Sequence, residues 1–297
     1  MNKKARGNLL LLLTAVIWGA AFVAQSEGMK YVGPFTLQAT RFLLAGLVLL
    51  PVAALCDRKG LLMNKPKSAA EQRGQAANMA VCGVLLFTAS TMQQYGLIYT
   101  SVGKSGFITS LYIILVPLIG ILAGKKVRPL VWCGVVLAVI GLYFLCVSGS
   151  LRPNPGDLLT FGCALLFSLH ILYIDRVGGR IDGVRLACGQ FFVCSALSFI
   201  GMAVFEKPTW SGIFRCWLPI VYAGVLSGGV GYTLQILGQR DTEPAIASLL
   251  MSLESFFAAL FGWLIIGQAL SGKEILGCVL MMSAIVLAQL PERKAAS

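Results

Sequence analysis

Two charges stand alone inside long apolar runs. Glu254 is the sole charge of the run 244–272, and Arg41 the sole charge of the run 31–56. An ionisable side chain in hydrocarbon must face a cavity, water or a partner, so each marks a candidate functional group. Glu254 follows Pro244 by ten residues, which sets it about 15 Å along a helix that begins there, near the middle of a bilayer. It could receive a cationic ligand group or a proton, or it could join two helices as a neutral hydrogen-bonding group. The first reading is favoured. Arg41 follows Pro34 by seven residues, about 10 Å along its helix. It could meet an anionic ligand group or snorkel outward to headgroups, and the two readings weigh equally.

Aromatic and amide side chains fall at similar depths. Trp18, Phe167 and Tyr112 lie near the middle of their runs, where aromatics beside one carboxyl suit an amphiphilic or cationic ligand. Helix packing is the plainer role, and for Phe167 alone it is preferred. Gln94, Gln190 and Gln235, with Gln93 and Tyr95, could line a water path or bond between helices. His170 is the single histidine and could carry a proton, but a lone histidine in a helix is more often a packed, hydrogen-bonded group. The candidate ligand-binding set is therefore Glu254, Trp18, Tyr112, Arg41, Gln94, Gln190 and Gln235.

Enzyme chemistry finds little support. Gly103-Lys104-Ser105 imitates the end of a phosphate loop, but position 98 holds Ile where that motif needs Gly. Ser105 and His170 could imitate a nucleophile and base, yet Ser105 begins its helix at the outer face while His170 lies twelve residues down another, roughly 18 Å deeper. The nine cysteines include no CxxC pair, and with one histidine a metal site is not expected. No cofactor is expected either.

The elements that position these residues are membrane helices. The chain has 297 residues, 57% of them hydrophobic and 12% charged, against roughly a quarter charged in soluble domains. Uncharged runs cover 7–26, 74–103, 105–124, 129–151, 158–174, 186–205, 216–239 and 275–291. With the two singly charged runs they make ten candidate spans. They lack the alternation of barrel strands. Pro34, Pro129 and Pro244 stand near helix starts, and Pro51, Pro117 and Pro219 are expected kink positions. The basic N-terminus imitates a signal peptide but reads as a retained first helix. The net charge of +12 sits in connectors, which argues for membrane topology and against nucleic acid. With the N-terminus inside, seventeen Lys and Arg fall on inner segments and six, including Arg152, on outer ones. Both termini are thus expected in the cytoplasm, in a multi-pass protein of the cell membrane.

The halves 1–150 and 151–297 resemble each other. Ala15 matches Ala164, Leu37 matches Leu186, Phe42 matches Phe191, Gly83-Val84-Leu85 matches Gly224-Val225-Leu226, and Ser110-Leu111 matches Ser252-Leu253. Under these shifts Trp18 corresponds to Phe167, Arg41 to Gln190, and Tyr112 approximately to Glu254. Five helices per half put the second half upside down, and inverted repeats with a midplane site are an architecture of secondary transporters. Gly134 with Ala138, and Ala284 with Ala288, allow close helix contact, in a homodimer or, preferably, within one chain.

Ala15-Val16-Ile17-Trp18-Gly19, Arg41, and Ser252-Leu253-Glu254 followed by Gly267 and Gly277 resemble the EamA branch of the drug/metabolite transporter superfamily. The family usually has Pro after that glutamate, where this chain has Ser255. The resemblance implies an all-α membrane protein of ten helices in two inverted five-helix repeats. It implies alternating-access transport of a small metabolite, commonly an amino acid or related amphiphile and commonly outward, with proton or other ion coupling open. A membrane-embedded enzyme or a passive channel is the alternative.

Overall fold

In the computed structural model, residues 2–60, 63–100, 102–146, 154–266 and 271–290 are described; Arg152 and Gly267 lie outside them. The first half comprises α1 (Lys3–Gly28), α2 (Pro34–Arg58), α3 (Ala69–Tyr99), α4 (Val102–Ser110), α5 (Tyr112–Leu122) and α6 (Pro129–Cys146). The second comprises α7 (Pro155–Val177), α8 (Gly183–Phe205), α9 (Trp210–Arg215), α10 (Trp217–Val221), a π-helical segment (Tyr222–Tyr232), α11 (Thr233–Gln239), α12 (Pro244–Met251), α13 (Leu253–Ile266) and α14 (Gly272–Gln289).

Among the described residues, eight helical stretches are long and apolar enough to cross a membrane, and Pro129–Leu145 is a shorter apolar helix. The all-α membrane architecture is as expected; among the described residues three of the ten expected spans are interrupted or rewound. The run 105–124 breaks at Leu111, the run 244–272 breaks at Ser252, and the run 216–239 is part π-helical. Serine hydroxyls explain part of the second break. Ser248 and Ser252 each donate back to a carbonyl three residues earlier, a local bond that competes with regular helix. Helix starts follow the sequence: Pro34, Pro129 and Pro244 open α2, α6 and α12, where a missing N–H removes no helical bond.

Helix packing shows an approximate two-fold relation. α2 packs on α8, α5 on α12, and α6 on α14, so each of these spans meets its own counterpart. α1 packs on the π segment, α11 and α13, while its counterpart α7 packs on α3, α4 and α5. The outward-facing side chains are apolar, with Leu122, Leu158, Ile200 and Val286 all above 60% exposed, as lipid requires. Exposed Tyr31, Tyr99, Trp210 and Trp217 gather at the end of the bundle assigned outward, matching an interfacial aromatic belt.

Lipid tails give helices no hydrophobic reason to associate, so close contact depends on small residues. At the α6–α14 contact, a Cβ on Gly141 would stand 2.8 Å from the Gly277 carbonyl oxygen, and one on Gly134 would stand 2.9 Å from that of Ala284. Ala138, Ala284 and Ala288 are buried in the same cluster. The small-residue pattern is therefore used within the chain.

Candidate functional site

The spacing of α1 turns Trp18, Phe22 and Gln25 to one face, at i, i+4 and i+7. These residues line a central cavity of about 50 Å³ together with Arg41, Tyr112, Tyr232, Gln235 and Glu254. Its walls come from both halves of the chain. The volume has room for a few water molecules.

Glu254 is 5% exposed and accepts a hydrogen bond from the Tyr112 hydroxyl at 3.2 Å. Both residues stand just past a helix break, Tyr112 after Leu111 and Glu254 two residues after Ser252. The hydroxyls of Ser110 and Ser255 lie 3.0 Å apart, so the residue replacing the family's proline ties the two breaks together. Trp18 donates through Nε1 to the Ser227 carbonyl at 3.2 Å, and its ring lies 4.7 Å from that of Tyr232. Ser227 and Tyr232 both belong to the π segment, a geometry often found at functional sites.

Arg41 turns inward. It is 5% exposed, its Nη1 donates to the Gln25 side-chain oxygen, and its guanidinium carbon lies 4.6 Å from the Phe42 ring centroid. Headgroup snorkelling is not what this side chain does.

Two of the residues expected at the site stand behind it. Gln94 donates to the Gln25 oxygen at 2.5 Å and is not among the cavity-lining residues. Gln190 pairs with His170 at 2.9 Å, both fully buried, in the packing role expected of His170. Phe167, expected only to pack, does reach the cavity. Gln25, Ser227 and Tyr232 were not singled out from sequence. Gln25 was open to detection, because it lies two turns from Trp18 on the same face; the π segment carries no comparable signal.

The cavity is separated from a larger vestibule of about 550 Å³, which is bordered by Leu172, Asp175, Lys125, Gln239 and Arg240. Between them, Gln239 donates to the Ile171 carbonyl at 3.1 Å, and Ile171 itself lines the cavity. The vestibule opens at the lysine- and arginine-rich end. There Lys125 pairs with Asp175 and Arg6 with Asp241 at 2.7 Å. At the opposite end, the Glu206 carboxylate accepts from the backbone amides of Phe35 and Thr36 and from the Thr36 hydroxyl, at 2.6–2.8 Å. Among the described residues, no group of three His, Cys, Asp or Glu could hold a metal ion.

This arrangement agrees with comparisons to known proteins. A crystal structure of 20% sequence identity superposes with a TM-score of 0.79 over 96% of each chain, which shows the fold. An uncharacterized transporter of Archaeoglobus fulgidus is 30% identical over 97% of this chain and 87% of its own length. The uncharacterized inner membrane transporter YedA of Escherichia coli is 25% identical over 93% of this chain and 88% of its own length. The threonine/homoserine exporter RhtA of Salmonella typhimurium is 28% identical over 53% of this chain and 54% of its own. The model of the EamA-like transporter family matches twice, at residues 5–147 and 154–290. The protein is thus a multi-pass membrane transporter, and it belongs to the EamA-like transporter family.

Proposed function

We propose that the protein exports a small amphiphilic metabolite of the amino-acid type across the cytoplasmic membrane by alternating access. The observation that carries this reading is the small central cavity holding Arg41 and Glu254 against aromatic walls. Opposite charges in one small site suit a zwitterion, and the flanking Trp18, Phe167 and Tyr232 suit its apolar body. The threonine/homoserine specificity in the name of the Salmonella relative points to the same size and class.

In this reading the substrate-binding residues are Glu254, Trp18, Tyr112, Arg41 and Gln235, with Gln94 and Gln190 acting from behind. The halves 1–150 and 151–297 are the two rocking units. Substrate enters from the basic-end vestibule, which the charge distribution assigns to the cytoplasm along with both termini. Passing Gln239 and Ile171 requires their hydrogen bond to break. Glu254 then serves as the site for a substrate ammonium or a coupling proton.

The test is a metabolite profile of medium from overexpressing cells, set against cells carrying Glu254→Ala. An extracellular rise in one amino-acid class, lost in the variant, supports the reading. No extracellular change, with uptake instead of export in proteoliposomes, would reverse the direction. Counterflow separates a carrier from a channel, because trans substrate accelerates exchange only in a carrier.

A further inference from the structure

The cavity's cation has a neutral partner where a carboxylate would be expected. Among the described residues no carboxylate lies within 4.0 Å of the Arg41 guanidinium, and no ion pair includes it. Its hydrogen bond goes to the amide oxygen of Gln25, and its Nε has no partner although it is buried. Removing a charge from water without an opposite charge is strongly unfavourable, so a fold that keeps this one leaves it available to a guest.

Gln25 is fixed in the orientation this needs. Its Nε2 donates to the Ala21 carbonyl at 3.3 Å, and its oxygen accepts a second bond from Gln94 at 2.5 Å. A carbonyl oxygen has two lone pairs, and Arg41 and Gln94 use both. A flipped amide would turn its NH2 toward the guanidinium. Gln25 therefore positions Arg41 while leaving its full positive charge in place.

We propose that Gln25 is a specificity-determining residue, holding Arg41 uncompensated so that the cavity selects substrates bearing a carboxylate. The inference rests on the cavity being the substrate site. A carboxylate can pair with the remaining guanidinium donors, as planar bidentate recognition allows. Glutamate at position 25 would have nearly the same shape but would supply the anion from within the protein. The site would then repel a carboxylate and accept an amide in its place.

The experiment is counterflow of labelled threonine in proteoliposomes, with competition by unlabelled threonine and by threoninamide, which lacks the carboxylate. Wild type should prefer threonine by tenfold or more. Gln25→Glu should lose that preference or invert it. Gln25→Leu keeps the charge and loses the positioning, so it should retain the preference with a raised apparent KM. Equal competition in wild type, or an unchanged ratio in Gln25→Glu, overturns the proposal while leaving the carrier reading intact. A second measurement needs no transported substrate: thermal stabilisation of purified protein by propionate compared with propionamide. Propionate should stabilise wild type and Gln25→Leu but not Gln25→Glu. If threonine is not carried, the amino-acid reading fails, and the propionate result alone decides the role of Gln25. Equal responses in wild type and Gln25→Glu would then overturn it.

Discussion

The hydroxyl of Tyr112 donates to the carboxylate of Glu254 across 3.2 Å, and the two residues occupy matching positions in the two halves. The contact sits where the halves meet and joins two helix breaks, at Leu111 and Ser252. A hydrogen bond between matching positions can persist only while both breaks face each other. Under the proposed rocking of the halves, it must strain or exchange.

Glu254→Gln keeps size and hydrogen bonding but cannot ionise. If the carboxylate receives an ammonium or a proton, flux in proteoliposomes falls at least tenfold in both Glu254→Gln and Glu254→Ala, at normal folded yield. If it only joins helices, Gln transports nearly normally while Ala loses thermal stability. Tyr112→Phe removes one hydrogen bond to the acid, worth about 1.5–3 kcal/mol where the partner is charged, and should lower the thermal midpoint without abolishing flux. Wild-type flux in Glu254→Ala would move the substrate site elsewhere.

Sidedness is checked with single cysteines in a background lacking the native ones. Lys207→Cys should react with a membrane-impermeant thiol reagent added outside intact cells, and Lys67→Cys only after permeabilisation. Both native side chains are exposed, so access depends on the side of the membrane. The reverse pattern would invert the protein and put the vestibule outside.

The Glu206 clamp holds the start of α2 against the end of α8. Its carboxylate caps two orphan amides of α2 and meets the positive end of that helix. Glu206→Ala should destabilise the fold by about 1.5–3 kcal/mol and make the outer end of α2 more reactive to water-soluble reagents. Glu206→Gln should retain part of the stability. A melting temperature unchanged in both variants would show that the clamp contributes nothing.

Gly141 permits a close approach of α6 and α14. In Gly141→Leu the added side chain meets the Gly277 carbonyl and Met281, and overpacking of this kind typically costs about 1–3 kcal/mol. The thermal midpoint should fall while the threonine-to-threoninamide ratio stays constant, because neither helix contributes a cavity-lining residue. A changed ratio at normal abundance would place α6 or α14 in the transport path.

Much of the architecture is legible in the sequence because lipid imposes simple rules. A span must be long, apolar and internally hydrogen-bonded, so runs between charges locate the helices, and prolines mark three of their starts. The lone charges announce themselves for the same reason, and Glu254, Arg41, Trp18, Tyr112 and Gln235 do meet around one cavity. The π segment escapes detection. Tyr222–Tyr232 carries no charge that would set it apart from an α-helical run, and its glycines lie against Trp18, Ala45 and Leu44, residues far away in sequence.

The sequence by itself determined that this chain is a helical membrane protein, and its collinear halves and lone charges indicated where chemistry could occur. Hydrophobicity and charge are properties of each residue, and a bilayer sorts them without reference to the rest of the fold. Only the tertiary structure decided which polar groups face one another. That Arg41 meets Gln25 and no acid, that Gln190 meets His170 behind the cavity, and that Tyr112 meets Glu254 depend on helix rotations and on contacts between residues 16 to 142 positions apart. Those rotations are set by close packing of small residues between helices, which no single run of sequence encodes.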